Sequence, residues 1–318
     1  MRRLLVLILL SSLVSTIPES KIGDFPVIGI LSLPYDGKDD HSEKTEYIDP
    51  YYSQYLNAAG AAVVPISFKL TEPELRTLMG KLNGVFFTGG SVDFVYYDEE
   101  TKKYELTPYA KAGKMIFDIA KEMKKNDIHF PLWGTCLGFQ LLAYLAAEDP
   151  HIPKEGCDCK DYGAPLYFTE DGHEQKGMFK GFSKEQMKDF TEQSLTYGNH
   201  GYYIDYLDFL NFTSLNNFFK VLAHSPDKGN TFVHVAAMEG KDYPFFGVQF
   251  HPELKQYNEV NRTTSLESIG LTHELANFFV NEARKCPHKM TRSEKIKRSI
   301  WNTPIYQPEE GKFLYLFP

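Results

Sequence analysis

Two short stretches hold residue types that can do acyl-transfer chemistry. In FPLWGTCLGFQ a lone cysteine, Cys136, stands between Gly134 and Gly138, and in GVQFHPE, residues 247–253, His251 and Glu253 stand two residues apart. A thiolate can attack an amide carbonyl. A histidine can protonate the leaving amine and later deprotonate a water, while a carboxylate orients the imidazole and stabilises its cation. On that reading Cys136 is the nucleophile, His251 the general acid and base, and Glu253 the third member. Either stretch alone has an ordinary explanation, since cysteine is among the most buried residue types and a histidine at a strand end needs no chemistry. Both in one chain, each closing an apolar run, favour the reaction.

The flanking residues say how the groups would be held. An apolar run, a glycine-flanked turn and a helix-like run make a nucleophile elbow around Cys136. A helix beginning at Leu137 points its free N–H groups and positive dipole end at the sulfur, which favours thiolate. The same N–H groups, that of Leu137 first, can hold an oxyanion. Pro252 biases His251 towards extended backbone, where residues two apart share a face, so Glu253 is expected beside it. In FFTGGSVD, residues 86–93, Gly89 and Gly90 follow a strand and let backbone N–H groups approach a substrate. We assign them to the oxyanion side of the cleft.

The elements that must position these groups follow from periodicity. Strands are expected at 26–31, 61–66, 84–90 and in IHFPLWG. Helices are expected at 50–59, stopped by Gly60; in LTEPELRTLMGKL, where Thr71 and Glu74 form a capping box; at 107–125; and in LGFQLLAYLAA. Four strand–helix alternations predict an α/β fold, a mainly parallel central sheet with helices on both faces. Residues 91–106 read as a loop. Beyond residue 150, KVLAHSPD, NTFVHVAAMEG and YPFFGVQFHPE read as further strands, 265–285 as a last helix, and the tail 287–318 shows no strong period. Without repeats or a long linker, one domain is expected.

Whole-chain properties narrow the function. The 318 residues carry a net charge of −8, which argues against nucleic acid or an anionic membrane as the main partner. Residues 1–20, MRRLLVLILLSSLVSTIPES, have the layout of a secretory signal peptide with cleavage just after Thr16. The domain would then occupy 21–318, with no membrane span in the mature chain. Two sequons, at Asn211 and Asn261, agree with export and glycosylation. The four cysteines include the pair Cys157 and Cys159, read as a loop with a possible bridge to Cys286; no second pair completes a metal site, and no cofactor is expected.

Taken together, WGTCLGFQ and FHPE on an alternating sheet resemble the class I glutamine amidotransferases with their Cys-His-Glu triad. GGSVD, FPLWGTCLGF, AMEGKDYPFFGVQFHPE, FFVNEARK and the late TPIY more closely resemble gamma-glutamyl hydrolase, the hydrolase of folate poly-gamma-glutamates. The resemblance implies Cys136, His251 and Glu253 in the roles above. It also implies that His200, in TYGNHG, lines the substrate cleft, that the enzyme is a homodimer, and that it acts outside the cell or in a lysosome or vacuole. Position 140 is Gln, as in the amidotransferases, where several gamma-glutamyl hydrolases carry Glu. An amidotransferase passes ammonia to a synthetase, and no such domain follows here, so hydrolysis through a glutamyl thioester is expected. The alternatives are another gamma-glutamyl amidase and a catalytically retired binding protein of this fold.

Overall fold

A computed structural model describes residues 25–35, 45–149, 151–173, 177–255, 265–309 and 312–318. Eight strands build its central sheet: β1 (Val27–Leu31), β2 (Ala62–Ile66), β3 (Gly84–Phe87), β4 (Leu132–Thr135), β5 (Tyr167–Phe168), β6 (Phe219–Pro226), β7 (Val233–Gly240) and β8 (Phe245–Val248). They lie in the order β5-β6-β7-β8-β4-β3-β1-β2. From β8 through β4, β3 and β1 to β2 every pairing is parallel. On the other side of β8 the sheet continues antiparallel through β7, β6 and β5.

The parallel strands have no polar face to offer water. All five residues of β1, VIGIL, are buried, as a strand covered on both sides requires. Its alternate side chains enter two cores. Val27 and Leu31 pack with Leu75 and Leu78 of α2 (Glu72–Met79), Ile116 of α3 (Pro108–Lys125) and Leu141 of α4 (Leu137–Ala147). Ile28 and Ile30 pack with Leu56 of α1 (Pro50–Ala58) and Phe279 of α5 (Leu266–Arg284). The expected doubly covered α/β sheet is therefore present. The Thr71–Glu74 capping box is present too, the Thr71 N–H donating to Glu74 Oε2 at 2.9 Å.

Several expectations need correction. Residues 91–106 are not simply a loop: Val95–Asp98 pairs antiparallel with Lys103–Leu106, and the Asp98 carboxylate accepts from the Glu100 and Thr101 N–H groups in the turn. Tyrosines on both faces blur the alternation that marks a strand. The tail contains a helix, Arg292–Arg298, capped by Thr291 and Glu294, and a strand, Lys312–Phe317, that pairs with Glu46–Ile48. That pairing is long-range and leaves no local period. Cys157 and Cys159 lie on a strand, Lys154–Tyr162, paired with Gly198–Tyr203, and are bonded to each other rather than to Cys286. Cys286 is buried and free, its Sγ turned to the Leu82 carbonyl. Asn211 is exposed at the end of helix Tyr206–Asn211, whereas Asn261 and residues 1–20, the expected signal peptide, lie outside the described residues. No helix among the described residues is long and apolar enough to cross a membrane.

One contact fixes the geometry at the carboxyl edge. The first turn of α4 lies so close to β3 that a Cβ at Gly138 would collide with the Phe87 backbone carbonyl, and one at Gly134 would collide with the Gly138 backbone. Neither neighbour is a flexible side chain. Gly138→Ala should therefore lower stability by at least the roughly 1–3 kcal/mol typical of overpacking. Gly270, on α5, has nothing within 4 Å of an added Cβ, and Gly270→Ala should gain about 0.5–1 kcal/mol. Urea midpoints of the two variants should move in opposite directions.

Candidate active site

The elbow holds Cys136 between β4 and α4 with φ at 51° and ψ at −104°. A non-glycine residue there costs on the order of 1–3 kcal/mol and must be held by its surroundings. Three hydrogen bonds do so: Cys136 N–H to the Val248 carbonyl at 2.9 Å, Gly138 N–H to the Thr88 carbonyl at 3.0 Å, and Gln140 N–H to the Cys136 carbonyl at 3.0 Å. The ends of β8 and β3 thus grip the turn from both sides. The Leu137 N–H, at the first helical position, has no acceptor within the helix.

His251 reaches the sulfur from beyond the end of β8. Its N–H donates to the Tyr197 carbonyl at 2.8 Å, and its Nδ1 lies 2.7 Å from Glu253 Oε1. An ionised carboxylate only accepts, so Nδ1 carries the hydrogen and Nε2 is left to hydrogen-bond Cys136. The route to this arrangement differs from the expected one. β8 ends at Val248 and Pro252–Lys255 is a 3₁₀ turn, so a turn rather than an extended run brings Glu253 under the imidazole.

Burial sharpens the electrostatics. Glu253 is wholly buried and its Oε2 has no hydrogen-bond partner among the described residues. Burial alone pulls the His251 imidazolium down, but the charges and hydrogen bonds of Cys136 and Glu253 outweigh it and raise its pKa to about 10. Desolvation pushes the Asp49 carboxyl up to about 7, and the Glu253 charge adds to that rise.

Gly89 and Gly90 come to the site in different ways. A Cβ at Gly89 would lie 2.6 Å from both His251 Cε1 and Tyr52 Oη and 3.4 Å from Cys136 Cβ, so only glycine lets β3 end against the triad. Its N–H is already engaged, donating to Tyr52 Oη at 2.8 Å. With the Gly89 N–H engaged, Gly90 and Leu137 are the two expected oxyanion residues that line the cleft with Cys136. Tyr52 carried no sequence signal; in PYYSQYLNAAG it reads as one core aromatic among several.

The cleft, about 420 Å³, is lined also by His200, Tyr202, Asn199 and Lys160. The His200 Nδ1 donates to the Tyr202 carbonyl at 2.9 Å, and the same carbonyl accepts from Gln140 Nε2 at 3.0 Å. Burial and then the neighbouring His234, 5.2 Å away between ring centroids, hold the His200 pKa down to about 3. His200 lines the cleft, as expected, and does so as a neutral group that supplies no positive charge to an acidic ligand. Lys160 is the cation among the described residues lining the cleft, and nothing in its local sequence distinguished it. The ligand atoms of Cys157, Cys159 and His234 lie within 4.8 Å of one another, but both sulfurs are consumed in their mutual bond.

These buried histidines set a pH dependence. His234 is also lowered by burial, to about 4. From about pH 6.5 downward the unfolded chain takes up protons that folded His200 and His234 refuse until about 3 and 4. Stability should therefore fall as the pH drops through that window, by up to about 1.4 kcal/mol per pH unit for each histidine. The raised His251 acts on the other side: its contribution is complete below about 6.5 and is lost as the pH climbs towards 10. Urea midpoints should peak near pH 6.5, and His234→Gln should flatten the acid limb.

Comparison with known proteins extends the likeness beyond the site. The family model described as Glutamine amidotransferase class-I matches residues 54–267. Gamma-glutamyl hydrolase B of Dictyostelium discoideum is 34% identical over 304 residues, covering 93% of this chain and 84% of the relative. Gamma-glutamyl hydrolase of Homo sapiens is 33% identical over 307 residues, covering 94% and 92%. Gamma-glutamyl hydrolase 1 of Arabidopsis thaliana is 30% identical over 301 residues, covering 93% and 82%.

Proposed function

This chain belongs to the gamma-glutamyl hydrolase family of the class I glutamine amidotransferases, and from that premise we propose that Cys136, His251 and Glu253 hydrolyse the gamma-glutamyl bonds of folate poly-gamma-glutamates. The observation that carries the assignment is the buried His251–Glu253 pair, 2.7 Å apart, hydrogen-bonded on to a cysteine at a helix N-terminus.

The chemistry follows from that order of groups. Cys136 Sγ attacks the gamma-carbonyl carbon, and the developing oxyanion is held by the N–H groups of Leu137 and Gly90. Charged His251 gives its Nε2 proton to the leaving nitrogen, the C–N bond breaks, and a glutamyl thioester remains. Neutral His251 then takes a proton from water; the hydroxide adds to the thioester, and the thiolate leaves with the acid product. Glutamine's amide and a gamma-linked peptide bond are amides of the same carboxyl group, which is why one site architecture serves both branches of the superfamily. Lys160 pairs with an alpha-carboxylate, of which a gamma-linked chain carries one per residue.

The export reading is supported by the layout of residues 1–20 and by the exposure of Asn211. We place the enzyme outside the cell or in a lysosome or vacuole, glycosylated at Asn211 and Asn261, with residues 21–318 as one domain acting as a homodimer.

Three variants test the reaction. Cys136→Ala should remain folded and lose turnover, with no thioester trapped on acid quench. His251→Asn should lower kcat/KM by at least the ~10²–10⁴ of a general base, and Glu253→Gln by less. Values within about threefold of the parent for both would remove the triad. Lys160→Ala should raise KM for gamma-pentaglutamate with kcat nearly unchanged. The parent should leave alpha-linked pentaglutamate intact; equal cleavage of the two linkages would make it a general cysteine peptidase.

A further inference from the structure

The hairpin that the sequence concealed forms one lip of the cleft. Ser91, Val92, Asp93, Phe94 and Val95 line the cavity in front of Cys136. In the antiparallel ladder Val95 stands opposite Leu106 and Tyr97 opposite Tyr104. Residues directly opposite share a face, and so do residues two apart on one strand. Val95, Leu106, Tyr97 and Tyr104 therefore share a face, and Tyr96 and Glu105 occupy the other. Phe94 and Val95, on opposite faces of the strand, both line the cleft, so the hairpin's base belongs to the cleft wall and the Val95 face runs outward from it to Tyr97 and Tyr104.

The two tyrosines are not spent on the core. Tyr97 is 46% exposed and Tyr104 is 68% exposed. Their rings meet edge to face at 5.3 Å between centroids, a geometry that leaves a ring face open. The hairpin joins no other sheet among the described residues, yet its base is anchored. Phe94 is buried and packs on Tyr144 at 5.4 Å, the Thr107 N–H donates to the Phe94 carbonyl at 2.9 Å, and the Thr107 hydroxyl donates to the Asp93 carbonyl at 2.9 Å. A firm base with a bare aromatic tip is the form of a stacking platform.

We propose that Tyr97 and Tyr104 form a docking platform for the fused heteroaromatic head of the substrate, a specificity device distinct from the catalytic groups. The proposal rests on the folate poly-gamma-glutamate reading above. The head of such a substrate is joined to the amine end of the glutamyl chain, so it lies on the acyl side of every scissile bond. The platform retains the half of the substrate that is bonded to Cys136 in the thioester. Lys160 and the backbone donors answer the alpha-carboxylates, which every glutamyl residue repeats; the flat head marks the amine end of the chain, and an aromatic face recognises it.

Kinetics on two substrates test this: pteroyl-gamma-pentaglutamate and N-acetyl-gamma-pentaglutamate, which share the chain and differ in the head. For the parent enzyme the pteroyl substrate should have the lower KM. In the double variant Tyr97→Ala, Tyr104→Ala its KM should rise roughly tenfold or more, with about three- to tenfold from each ring removed. The acetyl substrate should keep its KM and kcat. Tyr97→Phe with Tyr104→Phe should restore the parent values, because the ring and not the hydroxyl meets the head. Tyr96→Ala, on the opposite face, should change neither substrate. An equal rise in KM for both substrates, or no rise for either, would overturn the platform. If the parent cleaves the acetyl substrate but shows no preference for the pteroyl one, the platform is lost while the hydrolase reading stands. Failure of the parent to cleave either substrate would overturn that reading itself.

Discussion

The contact between the first turn of α4 and the last residues of β3 is the constraint on which the site depends. With no side chain at Gly138, the helix backbone rests against the Phe87 carbonyl. That leaves a single residue in which the chain must turn from strand to helix, and this residue, Cys136, takes up a positive φ. Its strain is maintained by hydrogen bonds to Val248 and, through Gly138, to Thr88. The nucleophile is therefore presented by the sheet's own tight packing. Its position relative to the Leu137 N–H is set by one helical turn, which no loop motion can alter without breaking the core.

The second requirement is that charge at the site be placed without water. Glu253 is fully buried with one oxygen unpartnered among the described residues, so its field falls on His251 and on the tyrosines of α1. A buried carboxylate left without its imidazole would be costly, on the order of 3–5 kcal/mol for a broken buried pair, which makes the His251–Glu253 pair mutually dependent. Across the cleft the opposite treatment applies. His200 is buried beside a second histidine and held neutral, its tautomer fixed by the Tyr202 carbonyl that it shares with Gln140. Glutamine at position 140 suits that carbonyl because its amide donates, where an ionised glutamate would set two acceptors against each other. Two histidines of one cleft thus carry opposite protonation states by virtue of their neighbours.

How much of this was legible in the sequence follows from which forces act locally. The strand–helix alternation to residue 147, the Thr71–Glu74 box and the elbow glycines were readable because each is fixed by residues within a few positions. Cys136, His251 and Glu253 were readable as residue types, although the turn that unites the last two was not, since a proline after histidine also permits a 3₁₀ turn. The hairpin at 95–106, the pairing of Lys312–Phe317 with Glu46–Ile48 and the Cys157–Cys159 bond were not legible. They depend on partners far along the chain or on alternations too short to stand out. Tyr52 and Lys160 were hidden for the same reason: their places beside Gly89 and in the cleft lining exist only once the chain is folded.

A protein of net charge −8 that takes a polyanion must separate its global charge from its local field. The cleft wall does so by geometry. Among the described residues that line it, one lysine faces two carboxylates, Asp93 and Glu155, so bulk attraction cannot select the ligand. Selection has to come from directed groups: a lysine at one wall, helix N–H groups at the nucleophile and an aromatic lip at the opening. Each answers a different part of the substrate at a fixed position, so the placement of charge rather than its total amount is read. An acidic exterior then carries little penalty at an ionic strength of about 0.15 M, where screening over about 8 Å mutes distant charges but leaves the contacts inside the cleft intact.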